Sequence, residues 1–149
     1  MGCAKVKLST KSHYGLNACY FLAAEYNAAT DAHANGGGLP LKKLAQTSGI
    51  SEAYLEQIIL LLKKAGIIAA NRGALGGYYL ARPPEEILVG DIVRALEGNL
   101  EIVGCRTSAC DCAAGINCKT KNVWDKVYKS INDTLDRIKL SDLRDENFL

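Results

Sequence analysis

The sequence predicts a mainly α-helical fold with one small β-hairpin, a winged helix-turn-helix followed by a long C-terminal helix. Three observations predict it. Apolar residues recur at three- and four-residue spacing in stretches near residues 12–28, 52–66 and 123–138, which is the period of one helix face. Gly49 and Ser51 stand between two of the helical stretches, and two helices joined by a short glycine-containing turn make a helix-turn-helix. Two short β-prone runs, residues 67–71 and 78–81, flank the glycine-rich RGALGG, which is hairpin patterning. The chain therefore divides into a winged helix-turn-helix over residues 1–82 and a second part, 83–149, holding a cysteine-rich segment and the long helix.

The elements follow in order. Ser9 and Thr10 offer caps for a first helix over about residues 12–28, because a side-chain oxygen can accept from an unpaired N–H of the first turn. Tyr14, Ala18, Phe21, Leu22 and Tyr26 line one face of it. Residues 30–38, TDAHANGGG, form a mobile glycine-rich loop. A short helix over 41–47 stops at Gly49. Ser51 caps the next helix, EAYLEQIILLLKKAG, which Gly66 ends. Leu55, Ile58, Ile59 and Leu62 form its buried stripe, while Glu52, Glu56, Gln57 and Lys63 face outward. The hairpin with RGALGG at its tip follows, then Pro83 and Pro84, then a short helix over 89–96 closed by Gly98. Beyond the cysteines, Val123, Trp124, Val127, Ile131, Leu135 and Ile138 repeat at helical spacing, with Lys119, Lys121, Asp125, Lys126, Asp133 and Asp136 on the other face. That helix either pairs with its copy in a second subunit or packs back on its own domain; pairing is favoured, because two-fold sites require paired readers.

Composition narrows the function. An apolar fraction of 48% excludes general disorder. Net charge is +2, unevenly divided: residues 1–82 carry seven Lys and two Arg against four acids, whereas 83–149 carry nine basic residues against twelve acidic. A basic first half fits a polyanionic partner. A helix following a tight turn is shaped to enter a major groove, and a wing bearing Arg72 suits the narrow minor groove. Glu56 and Gln57 are candidates for reading base edges, against ordinary solvated positions. Lys42, Lys43, Lys63 and Lys64 are surface charges, some suited to phosphates. RGALGG does not fit a dinucleotide fingerprint, since no helix opens on it.

Four of the six cysteines, Cys105, Cys110, Cys112 and Cys118, fall within fourteen residues. Soft thiolates at such spacing hold iron–sulfur clusters or zinc. A disulfide knot needs an oxidising compartment, and the first ten residues, MGCAKVKLST, contain neither an apolar signal core nor a complete myristoylation motif. No apolar run reaches membrane-spanning length. A cytoplasmic protein is expected, in which clustered cysteines bind metal or act in redox chemistry. The readings of the loop are an iron–sulfur cluster, zinc, or bare thiols. Catalysis has little support, because His13 and His33 are the only histidines and neither lies in a nucleophile motif. The chain is read as no enzyme; a small electron carrier is the distant alternative.

The runs LSTKSHYGL, ISEAYLEQ, NRGALGGYYLA and VGDIVRALEG, then a cysteine loop ahead of a helix with Trp124, together resemble the IscR/NsrR/CymR family of bacterial winged-helix regulators. That resemblance implies a DNA-binding homodimer acting on double-stranded operator DNA, a repressor or activator of genes for iron–sulfur assembly, nitrosative stress, iron or cysteine metabolism. It places Glu56 and Gln57 among base-reading residues and Arg72 as the wing arginine. Lys11 is a further candidate DNA contact, as is Tyr54 from its place in the first turn of the reading helix, against a packing role for that ring. The cysteine loop points to the cluster-binding branch, with Cys105, Cys112 and Cys118 as metal ligands and a two-iron cluster ahead of a four-iron one. Cys112 and Cys118 match the family spacing directly, whereas Cys105 matches with one extra residue. Where the IscR branch has a ligating histidine, this chain has Lys121, whose ammonium has no lone pair for iron. The candidates for the fourth ligand are then Cys110 and His13, the latter at the position from which an acidic residue reaches the cluster in the nitric-oxide-sensing branch. A regulator of cysteine or sulfur metabolism using thiols or zinc without a cluster is the alternative.

Overall fold

The computed structural model describes residues 8–26, 38–74, 76–100, 119–145 and 148. Most of the glycine-rich stretch 30–38, the whole cysteine segment 105–118 and the last residues expected in the first helix lie outside them. The described part is mainly helical, with a small two-stranded antiparallel sheet. Helix α1 (Thr10–Ala24) leads to α2 (Leu41–Ser48) and α3 (Glu52–Lys64), then strands β1 (Ile68–Asn71) and β2 (Gly77–Leu80), then α4 (Val89–Glu97) and α5 (Lys121–Leu135). Single 3-10 turns at Pro84–Glu86 and Leu140–Arg144 precede α4 and follow α5.

Helix α1 begins two residues before the expected start, and Tyr26 lies just past its end while still packing against the core. Ser9 occupies the N-cap with extended backbone, yet its hydroxyl caps nothing and bonds Glu97 of α4 instead. In α3 the predicted stripe is fully realised: Leu55, Ile58 and Leu62 are 0% exposed and Ile59 1%. The strands pair Ile68 with Leu80 and Asn71 with Gly77. Leu39 adds a bridge to Tyr78, each N–H reaching the other's carbonyl at 2.9 Å, so the chain entering α2 extends the hairpin.

One apolar cluster joins the two halves of the chain. Leu44, Leu55, Ile58, Ile59, Leu62, Ile67 and Leu80 share it with Ile87, Ile92, Leu96 and Leu140. Helix α1 crosses α4 closely because residue 15 is glycine: a Cβ there would stand 2.2 Å from the Leu96 Cδ1 and 3.3 Å from the Ile58 Cγ2. A second, smaller cluster of Val89, Val93 and Leu100 receives Tyr128, Ile131, Leu135 and Ile138, so the C-terminal half of α5 docks on α4. Arg94 reinforces that docking, with Nη2 at 2.5 Å from Asp136 and 3.3 Å from Asp91, and Nη1 at 3.4 Å from the Asn132 side chain. No residue of α5 is fully buried, and Val123, Trp124 and Val127 are 56%, 42% and 38% exposed.

Candidate nucleic-acid interface

The turn between α2 and α3 is set by Gly49, whose φ of 68° lets its own N–H reach Gln46 and the Ile50 N–H reach the Ala45 carbonyl. A side chain at that φ would be strained. Ser51 then opens α3, its hydroxyl accepting the Tyr54 N–H at 3.3 Å. Glu52 in the first turn and Lys63 and Lys64 in the last match the helix dipole. Because one face of α3 is locked into the core, the other is presented as a unit: Glu52, Glu56, Gln57, Leu60, Lys63 and Lys64 are all exposed. Glu56 and Gln57 thus share the accessible face. Lys42 and Lys43 are exposed on α2.

The hairpin turns at Gly73, with φ of 119°, and closes through a 2.9 Å bond from the Gly76 N–H to the Gly73 carbonyl. A Cβ at Gly76 would lie 2.4 Å from the Asn71 carbonyl oxygen, so glycine is required there. Arg72 leaves the end of β1 exposed and, among the described residues, in no ion pair.

Tyr54 is half-buried at the start of α3 and meets Tyr14 edge-on, ring centroids 6.2 Å apart. Tyr14 in turn meets His13 at 5.3 Å. His13 is exposed, its Nε2 3.4 Å from the Asn17 side-chain nitrogen. Lys11 is half-buried, its charge felt by Glu97. The structure therefore brings His13, Tyr14 and Tyr54 into one aromatic row, although the sequence placed His13 and Tyr54 in separate roles.

Cys105, Cys110, Cys112, Cys118 and His33 lie outside the described residues. Cys19 is completely buried in α1, and burial pushes its thiol up to about 12, so it stays protonated near neutrality. Among the described residues no group of three or more His, Cys, Asp or Glu is arranged to hold a metal ion. Lys121 is the first residue of α5.

One feature of the site escaped the sequence. The Glu97 Oε1 accepts from the Ser9 N–H at 3.2 Å, from the Ser9 hydroxyl, and from the Ser12 hydroxyl at 2.6 Å. Burial pushes this carboxyl up, but the bonds from Ser12 and Ser9, with Lys11 nearby, outweigh it and hold Glu97 below the usual carboxylate range. Partners more than eighty positions apart leave no trace in periodicity. Among the described residues no helix is long and apolar enough to cross a membrane.

Known proteins share this arrangement. IscR of Aliivibrio salmonicida (strain LFI1238) is 34% identical over 142 residues, covering 95% of this chain and 79% of that protein. CymR of Bacillus subtilis (strain 168) is 34% identical over 138 residues, 93% of this chain and 89% of the relative. Its solved structure, described as the global cysteine regulator, superposes with a TM-score of 0.71 over 92% of this chain and 95% of that one, at 35% identity. The solved T. potens IscR gives 0.67 over 92% and 85%, at 44% identity. These relatives are named as transcriptional regulators, not enzymes. The family model Rrf2, described as an iron-dependent transcriptional regulator, matches residues 8–146. With its winged helix-turn-helix and its match along almost the whole length, the chain belongs to the Rrf2 family of transcriptional regulators.

Proposed function

We propose that the chain works as a homodimer on operator DNA, inserting α3 into the major groove and the β1–β2 hairpin into the adjoining minor groove. The observation that carries this reading is the outward row of Glu56 and Gln57 on a helix whose opposite side is fully buried. A rigid helix can present hydrogen-bonding side chains to base edges without reorganising. Lys11 and Tyr54 at the helix starts supply backbone contacts, and Arg72 at the hairpin end supplies the minor-groove charge. The apolar row Val123, Trp124 and Val127 on α5 is the surface through which two copies would meet. On this reading residues 1–82 are the DNA-reading part and 83–149 the sensing and pairing part.

Control of binding is assigned to an iron–sulfur cluster held by Cys105, Cys112 and Cys118, with Cys110 or His13 as the fourth ligand. The donor set supports it: four thiols in fourteen residues are soft ligands for iron. The IscR relatives and the iron-dependent description of the family support it too. A bound cluster supplies chemistry that responds to oxidants, nitric oxide and iron supply. His13 stands exposed on α1 beside the Tyr14–Tyr54 pair, where ligation would tie the cysteine segment to the reading half. The B. subtilis CymR, 34% identical like the A. salmonicida IscR, favours a second reading in which bare thiols or zinc govern a response to cysteine or sulfur status.

Two experiments test these readings. In selection of DNA sites from a random pool, Arg72→Ala should weaken binding to all sequences alike, while Glu56→Ala should change the preferred base at one position by about 1–3 kcal/mol. An unchanged preference in Glu56→Ala would remove that residue from base reading. Protein purified without oxygen should be brown and carry iron and sulfide; a colourless, iron-free preparation after reconstitution would leave the second reading standing.

A further inference from the structure

Glu97 is the last residue of α4, yet among the described residues its carboxylate is bonded to the N-cap and first turn of α1. A single oxygen, Oε1, gathers the Ser9 N–H, the Ser9 hydroxyl and the Ser12 hydroxyl. Ser9 is in cap position, but its hydroxyl accepts no N–H of the first turn and instead donates to a carboxylate on another helix. Two turns of α1 are thereby fixed on α4, by Glu97 at the start and by the Gly15–Leu96 contact one turn on. Between these two fixed points lies Tyr14, whose ring leans edge-on against Tyr54. Tyr54 is the residue whose N–H the Ser51 cap holds, in the first turn of α3. A carboxylate on α4 is thus two side-chain contacts away from the start of the recognition helix.

We propose that Glu97 is a positioning residue for DNA reading: through Ser9 and Ser12 it sets the start of α1, and through Tyr14 and Tyr54 it sets the N-terminal end of α3. This rests on the assignment of α3 as the recognition helix. The edge-to-face pair transmits direction because such ring contacts favour particular geometries over simple apolar contact. Glu97 also closes α4 only eight residues before Cys105.

The test is a mutant cycle read by DNA affinity with the full chain. Glu97→Ala should weaken binding to the selected operator by roughly fivefold to tenfold. Glu97→Gln, which keeps an Oε1 able to accept the same bonds, should recover most of that loss. In a Tyr14→Leu background the further loss from Glu97→Ala should vanish, whereas the loss from Arg72→Ala should persist in full, because only residues acting through a common contact fail to add. Thermal melts of each variant separate this from global unfolding. If Glu97→Ala binds as the unaltered chain does, or if its effect adds fully to that of Tyr14→Leu, the inference is overturned. If the unaltered chain itself binds no DNA, the underlying assignment of α3 fails instead.

Discussion

Helices α3 and α5 have similar amphipathic sequences and opposite fates. In α3 each apolar position of the stripe is at most 1% exposed, and the face that meets solvent is mostly polar, with Leu60, 52% exposed, as its apolar exception. In α5 no residue is fully buried, and the N-terminal three apolar residues are 38–56% exposed while the C-terminal ones dock on α4. The difference lies in what each stripe finds within its own chain. Three helices and the hairpin enclose α3, whereas α4 is only nine residues long and offers α5 a landing for half its length. A stripe satisfied internally frees its helix to present polar groups outward; a stripe left half-covered presents apolar groups, which is the chemistry of a subunit contact.

This contrast breaks most readily in stability. Ile58→Ala removes a side chain with no exposure from the centre of the core and should cost about 2–5 kcal/mol in urea unfolding. Trp124→Asp should cost a monomer much less in unfolding, since the residue is 42% exposed and belongs to neither core cluster. It should instead shift the sedimentation profile from dimer toward monomer at micromolar concentration. A chain that sediments identically with and without the change would place the subunit contact elsewhere, and an equal stability loss from the two variants would erase the distinction between the helices.

Local patterning made much of the fold legible. The α3 stripe, the Gly49 turn, the Ser51 cap and the hairpin around Arg72 each depend on residues within a few positions of one another, so spacing reveals them. Helix α1 was less legible at its ends because Ser9 looks like an ordinary cap, and only the fold shows its hydroxyl turned to Glu97. Likewise Arg94 reads as one more charge on a short helix until Asp136 comes alongside it. The candidate DNA contacts are side chains on legible elements, and the exposure of Glu56 and Gln57 follows from the same periodicity. The Glu97 relay, built from contacts across the sequence, could not be read that way.

The smallest effect concerns the two ties that α4 makes with its neighbours. Arg94, tied to Asp136 and Asp91, is pushed up from an already high value and keeps its proton wherever the chain folds, so its own titration adds no slope to stability in acid. Glu97, tied to Ser9 and Ser12 on the α1 side, has a folded pKa lower than in the unfolded chain. A group with a depressed folded pKa contributes stability that is present above its unfolded value and disappears as pH falls through the folded value. The stability difference between the unaltered chain and Glu97→Gln should therefore be constant near neutrality and shrink as pH falls through and below the usual carboxylate range. Because Glu97 is only partly buried, the change should be modest. Urea unfolding of both chains along that pH series measures it directly, and a difference that stays flat throughout would mean the carboxylate charge contributes nothing to holding α1 on α4.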